Sequence, residues 1–260
     1  MKAMILAAGL GTRLRPLTND RPKALVTVAG RTLLEIALSR LRVFGVREVI
    51  VNTHHRAEMI LDYLRANDNF GMHVEVSREE TLLDTGGGLK KAAHFFLDSI
   101  GSSQEPFILH NVDVISTIDL GRMVRFHTEE AALATMAVQD RETSRYLLFD
   151  ENDQLCGRRT GRAAQGSAPN ANDGQDELAR PAQQMSALAF SGIHVLSPRI
   201  FEKMAEEGSF SIIAAYLHLA SQGEKIVAFR ADGCYWRDLG RPEDLAEAAR
   251  DLASGKYSLT

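Results

Sequence analysis

The chain has 260 residues, 45% hydrophobic and 25% charged, ordinary values for a globular α/β protein with a sizeable core and not for a disordered one. A net charge of −4 excludes broad, non-specific attraction to nucleic acid or an anionic membrane, so any basic site must be local. Cys156 and Cys234 make no disulfide framework. No apolar run approaches membrane-spanning length and no signal-peptide pattern precedes the first strand, so a soluble, cytoplasmic protein is expected.

The run Ala3–Ala8 is continuously apolar, as a parallel strand buried on both faces requires. It stops at Gly9 and Gly11, and Arg13, Arg15, Arg21 and Lys23 follow closely. A helix is predicted over "TLLEIALSRLRVFG": Thr32 and Glu35 fit a capping box, Leu34, Leu38 and Leu41 recur at helical spacing, and Gly45 suits the C-terminal cap. Then come strand Glu48–Asn52, helix Arg56–Ala66, strand His73–Ser77, helix Leu89–Phe96 behind the triplet Gly86, Gly87 and Gly88, and strand Phe107–Val114. This alternation predicts a parallel sheet with helices on both faces.

The second half is more mixed. "ALATMAV", "RYLLFD", "LAFSGIHVL" and "KIVAFRA" are predicted strands, and helices are expected near Arg199–Glu206, Ile212–Ser221 and Glu243–Ala253. Between Arg158 and Gln184 Leu178 is the only large apolar residue, too little to offset ordering entropy, so a long mobile loop is expected there. The alternative is a lid whose Arg158, Arg159 and Arg162 reach a phosphate-bearing substrate.

Ligands of open α/β sheets bind beyond the carboxyl ends of the strands, which is where Gly9–Thr12 leaves the first one. Glycine lets the backbone approach a ligand closely, and the freed N–H groups of such a turn make an anion-binding concavity. A dinucleotide fingerprint fails here, because Leu14 takes the third glycine position and Pro16 disrupts the helix that should follow. No Walker-type G-x-x-x-x-G-K-[ST] string exists. The loop stays irregular through "RLRPLTNDRPKAL" and brings Arg13 and Lys23 to its amides, groups suited to an extended polyphosphate with a second phosphate beside it.

"LAAGLGTRLRPLT…RPKAL" resembles the signature of the sugar-1-phosphate nucleotidyltransferases, the NDP-sugar pyrophosphorylases. "EETLLDTGGGLKKA", "HNVDV", "FSGIHVL" and "YWRDLGRPEDL" extend the resemblance in family order to the C-terminus, outside the Arg158–Gln184 insertion. "LLDTGGGL" and the short chain look most like N-acetylmuramate-1-phosphate uridylyltransferases and short mannose-1-phosphate guanylyltransferases. The resemblance implies a Rossmann-like three-layer α/β sandwich with a central, mostly parallel mixed sheet. It implies one domain over residues 1–260, with a nucleotide-binding half to about residue 115 and a sugar-phosphate-binding half over 116–260. The implied partners are a nucleoside triphosphate and a sugar 1-phosphate, with no nucleic acid or membrane, and a monomer or small homo-oligomer is expected.

The implied reaction joins a sugar 1-phosphate to the α-phosphorus of the triphosphate and releases pyrophosphate. Its nucleophile is already ionised at neutral pH, which fits motifs offering arginine, lysine, glycine and carboxylates but no histidine–serine or histidine–cysteine pair. By resemblance, Arg13 and Lys23 are catalytic. Leu6, Ala8, Gly9, Gly11, Thr12, Arg13, Glu79, Asp84, Thr85 and Gly86 bind the nucleotide; Lys23, Asn111 and Gly192 bind the sugar phosphate. Asp113 and Asp238 hold Mg²⁺, an ion that favours one or two carboxylates plus phosphate oxygens and waters. Val112 replaces a common family glycine, so its side chain either crowds the metal or points into the core. The family F-x-E-K-P string, whose lysine contacts the sugar phosphate, is missing, and Arg158 or Arg159 is the expected substitute. Two other classes fit the chain less well: a nucleotide-sugar-binding regulator that has lost catalysis, and an NAD(P)-dependent oxidoreductase.

Overall fold

The computed structural model describes residues 1–97, 105–161 and 175–258. Its elements in chain order are β1 (Lys2–Leu6), β2 (Thr27–Val28), β3 (Arg31–Thr32), α1 (Leu33–Phe44), β4 (Glu48–Thr53), α2 (Ala57–Ala66), β5 (His73–Arg78), α3 (Asp84–Lys91), α4 (Ala93–Leu97), β6 (Phe107–Asn111), β7 (Val114–Ser116) and α5 (Leu120–Glu129). The second half adds β8 (Ala134–Gln139), β9 (Arg145–Phe149), β10 (Leu155–Thr160), β11 (Gln175–Leu178), β12 (Ser186–Leu196), α6 (Ile200–Lys203), α7 (Ile212–Ser221), β13 (Ile226–Arg230), β14 (Trp236–Asp238) and α8 (Pro242–Ala253).

The central sheet is mixed. β1 lies between β6 and β4, and β4 pairs β5, all parallel. β12 is the pivot of the other half: its C-terminal part pairs β6, its N-terminal part pairs β9, β8 pairs with both parts, and all three ladders are antiparallel. β13 closes one edge in parallel with β8, while β10 and β11 extend the other beyond β9. Alternation along the strands sorts side chains into two cores. Ala3, Ile5, Val49, Val51 and Ile108 pack with α1, α2, α5 and α8, and Met4, Ile50, Phe107 and Leu109 pack with α3, α4, α6 and α7. The result is the expected three-layer sandwich.

The caps of α1 follow the sequence reading. Thr32 Oγ1 accepts from Glu35 N at 3.0 Å, and Gly45 closes the helix at φ 105. The Glu35 carboxylate takes Arg31 Nε at 2.8 Å and Tyr63 Oη at 3.2 Å.

Four boundaries differ from expectation, each for a local reason. The first strand ends at Leu6 rather than Ala8, because the Ala7 N–H leaves the sheet to donate to Asn52 Oδ1 at 2.7 Å. The predicted strand Phe107–Val114 is broken after Asn111, where β7 turns away to pair with β14. The helix predicted near Arg199–Glu206 shrinks to α6, since Lys90 Nζ holds the carbonyls of Met204 at 3.2 Å and Glu206 at 2.6 Å in an extended path. The glycine triplet lies inside α3 instead of preceding a helix at Leu89. The Phe210 carbonyl receives the N–H groups of Gly86 and Gly87 at 2.9 and 3.2 Å, which satisfies two of the amides a helix start leaves open.

Those glycines are packing residues. A Cβ on Gly87 would lie 2.2 Å from the Gly208 carbonyl oxygen, and one on Gly86 2.4 Å from the Phe210 ring. Gly87→Ala is therefore expected to lower stability by about 1–3 kcal/mol despite alanine's better helix propensity, read as an earlier urea midpoint. A midpoint equal to wild type would show that the 208–210 segment yields freely.

The expected mobile loop Arg158–Gln184 requires the largest correction. Its ends form the antiparallel hairpin β10–β11, and Arg162 and the rest of 162–174 lie outside the described residues. Leu155 and Cys156 anchor β10 in the core, so the hairpin needs no apolar surface of its own. Opposite charges then align across the ladder, Arg158 with Glu177 and Arg159 with Asp176.

Candidate active site

Two cavities adjoin at the carboxyl end of β6, the smaller one also reaching the ends of β1 and β4. One, of about 340 Å³, is lined by residues that include Leu6, Ala8, Gly9, Lys23, Asp84, Thr85 and Asp113. The other, of about 420 Å³, is lined by residues that include Gly192, Arg141, Tyr146, Trp236 and Asp238. Asn111, the last residue of β6, lines both.

The loop after β1 is held open from below. Gly11 is left-handed at φ 64, and a Cβ there would meet Thr18 Cγ2 at 2.9 Å and Lys23 Cβ at 3.0 Å, so only glycine lets Lys23 pack under the turn. Thr18 Oγ1 donates to the Gly11 carbonyl at 2.9 Å, and Arg56 donates to the Asn19 and Asp20 carbonyls at 2.6 and 2.7 Å. The N–H groups of Gly9, Leu10, Gly11 and Thr12 meet no acceptor among the described residues. Such a row of aligned, unspent donors suits an anion.

The acidic pair is assembled by a two-strand clasp. Asp113 occupies the break between β6 and β7, and Asp238 ends β14 opposite Val114. The Leu239 N–H donates to the Asp113 carbonyl at 2.7 Å, and the Gly240 N–H donates to Asp238 Oδ1 at 2.6 Å. Lys23 Nζ forms an ion pair with the Asp113 carboxylate, both side chains mostly buried. Arg13 leans over Gly240, where a Cβ would lie 2.6 Å from its Nη2. Burial raises the Asp238 carboxyl pKa above its ordinary value, the neighbouring Asp113 charge adds to the rise, and Lys23 and Arg13 oppose it. Lys23, Asp113 and Asp238, remote in sequence, thus meet where the two cavities adjoin, and Arg13, which lines neither cavity, lies beside Asp238 and Gly240.

Other sequence candidates fall into two groups. Gly192, at φ 75, lines the larger cavity; a Cβ on it would sit 2.7 Å from Val114 Cγ2 and 3.0 Å from Asn111 Nδ2. Thr85 and Asp84 line the smaller cavity, though Thr85 Oγ1 is engaged by the Ile212 N–H at 2.9 Å and Asp84 Oδ1 by the Thr85 N–H at 2.6 Å. Glu79 and Gly86 sit behind that wall. Glu79 is 2% exposed, with Oε1 taken by Asn52 Nδ2 at 2.7 Å and Oε2 by the Leu83 N–H at 2.9 Å. Val112 is 4% exposed and packs in the core with α1, which resolves its orientation. Arg158 and Arg159 line the larger cavity, each already paired with an acid on β11.

Two residues escaped the sequence reading. Asn52, at the end of β4, links Glu79 to the Ala7 amide and so fixes where the first loop departs. A polar residue closing an apolar strand at the ligand edge is the signal that marks it. Arg141, just beyond β8, lies with its guanidinium carbon 3.6 Å from the Trp236 ring centroid, and nothing local in the sequence distinguishes it.

The nucleotidyl transferase family profile matches residues 2–255. The chain belongs to that family and is an enzyme of that class. It is 34% identical over 256 residues to the N-acetylmuramate alpha-1-phosphate uridylyltransferase of Caulobacter vibrioides, covering 96% of both chains. It is 30% identical over 252 residues to a probable mannose-1-phosphate guanylyltransferase of Oryza sativa subsp. japonica, covering 96% of this chain and 64% of the plant protein. HddC from Yersinia pseudotuberculosis, solved with GMP-PN, shares the fold with a TM-score of 0.71 at 22% identity, covering 96% of this chain and 99% of its own. A UDP-glucose pyrophosphorylase solved with UDP-glucose does so with a TM-score of 0.73 at 18% identity, covering 98% of both chains. No helix among the described residues is long and apolar enough to cross a membrane.

Proposed function

We propose that the enzyme transfers a nucleoside monophosphate from a nucleoside triphosphate to a sugar 1-phosphate, giving an NDP-sugar and pyrophosphate. The observation that carries this reading is the meeting of Lys23, Asp113 and Asp238 where two cavities adjoin, with Arg13 beside Asp238. The smaller cavity then takes the nucleotide and the larger one the sugar phosphate, which divides one domain into halves near residue 115.

The open amides of Gly9 to Thr12 would hold the triphosphate, with Arg13 over the departing β,γ-phosphates. Lys23 would leave Asp113 to bridge the α-phosphate and the incoming sugar phosphate. An ionised phosphate oxygen of the sugar 1-phosphate attacks the α-phosphorus in line, the bond to the β-phosphate oxygen breaks, and pyrophosphate carries away the charge. No general base is needed, so positioning and charge neutralisation supply the catalysis. Glu79 acts through Asn52 and the Leu83 amide, holding the wall against which the base and ribose lie.

Asp113 and Asp238 suit Mg²⁺. Burial first and the Asp113 charge second raise the Asp238 pKa, a cost that a divalent cation between the two carboxylates would relieve. Bound there, Mg²⁺ would neutralise phosphate charge and orient the two substrates.

Pyrophosphate release from UTP, GTP, dTTP, CTP and ATP, each paired with N-acetylmuramate, mannose and glucose 1-phosphates, tests the reading. UTP with N-acetylmuramate 1-phosphate is the leading pair, supported by a relative matched over 96% of its length. The preferred triphosphate with Mg²⁺ should also raise the melting temperature by mass action. Tight nucleotide binding with no release from any pair would favour a regulator of the same fold.

A further inference from the structure

The larger cavity has four arginines on its wall, Arg141, Arg145, Arg158 and Arg159, and they are not equivalent. Arg159 is held by both oxygens of Asp176, Nε at 2.6 Å and Nη2 at 2.9 Å, and Arg158 Nε meets Glu177 at 2.8 Å. Their charge is already answered. Arg145, the first residue of β9, is exposed.

Arg141 is different on every count. Its guanidinium lies flat enough over Trp236 to be within 3.6 Å of the ring centroid, and Trp236 is itself fixed by donating Nε1–H to the Ser191 carbonyl at 2.7 Å. Nη2 donates to the Phe190 carbonyl at 2.7 Å. Nε is buried and has no acceptor, and no carboxylate among the described residues forms an ion pair with this side chain. Burial pulls its pKa down to about 10, with the Asp238 charge opposing. A partly desolvated cation with unspent donors is costly to keep unless an anion completes it. The cavity it lines also contains Asn111, Gly192 and Asp238, so the anion it completes lies next to the acidic pair.

We propose that Arg141, pre-positioned by Trp236, binds the phosphate of the sugar 1-phosphate and takes the place of the lysine that the missing F-x-E-K-P string would supply. The assignment rests on the reaction proposed above and names the group in this chain that receives the second substrate. With Nη2 already donating once to Phe190 and Nε buried, the guanidinium offers its remaining Nη N–H groups to the phosphate from a fixed plane, which a lysine cannot do. The sequence expectation that Arg158 or Arg159 fills this role gives way, because both are spent on β11.

The test compares wild type with Arg141→Ala, Arg141→Lys and Arg159→Ala. KM is measured for each substrate of the fastest pair in the panel above, alongside calorimetric titration with glucose, mannose and N-acetylmuramate 1-phosphates. Arg141→Ala should raise the sugar 1-phosphate KM about 100-fold with the triphosphate KM within about twofold, and Arg141→Lys should fall between. Added guanidinium ion should restore part of the Arg141→Ala rate, which it would not do for a merely structural residue. A sugar 1-phosphate KM or calorimetric affinity within about threefold of wild type in both Arg141 variants would overturn the assignment. So would equal losses for both substrates, or a larger loss in Arg159→Ala. Wild-type turnover separately decides the reaction: a chain that never releases pyrophosphate defeats that reading, while the calorimetric arm still reads Arg141.

Discussion

Replacing Asp238 by asparagine should cut turnover severely and, without metal, make the protein harder to melt. The two effects have one origin. The folded chain buries this carboxyl beside Asp113, so its pKa is raised, and ionising it at neutral pH costs folding free energy. Below the ordinary value of 3.8 the group is protonated in both states and the cost is absent. As pH rises through the raised folded pKa, stability is lost. Asparagine keeps the Gly240 N–H bonded and carries no charge, so the variant should melt higher than wild type at pH 7, with the gap closing in acid. Turnover should fall by about 10³-fold, since several kcal/mol of charge stabilisation disappear with a carboxylate in the role proposed for Asp238. Asp113→Asn should lose a similar factor but also leaves Lys23 without its partner, so no gain in melting temperature is expected there. Near-normal rates in either variant would remove both acids from the reaction.

Lys23→Ala is expected to lower turnover by about 10²–10³-fold, the usual loss when one preorganised charge is deleted from a transition-state site. Lys23 also draws the Asp238 pKa down, so its removal should push that carboxyl higher still. The turnover of the variant should then recover further on the alkaline side than wild type does, where Asp238 is fully ionised. A variant that melts early but turns over normally would make Lys23 a scaffold for the Gly11 turn and nothing more.

What could be read from the chain follows the range of the forces involved. The first strand, the caps of α1 and the alternation of elements depend on neighbours within a few residues, and they were legible. Asp113 and Asp238 were legible through motif resemblance, though nothing local brings them together; the β7–β14 pairing does that. The glycine triplet was misplaced because its reason lies far along the chain, in Phe210 and Gly208 pressing on α3. Resemblance puts Glu79 among the nucleotide-binding residues, yet its two oxygens are consumed by Asn52 and Leu83. The β10–β11 hairpin was missed because apolar content was the criterion, whereas its pairing rests on an edge strand already anchored and on charges matched across the ladder. Arg141 was invisible because its importance lies in what its neighbours lack, a counter-ion, and that cannot be counted along a line.

The clasp between β7 and β14 also joins distant stretches of chain. The smaller cavity is lined by residues up to Asp113, apart from Ser209, whereas Asp238 belongs to β14. A substitution that loosens the β7–β14 pairing should therefore part the two carboxylates while leaving the loop after β1 in place.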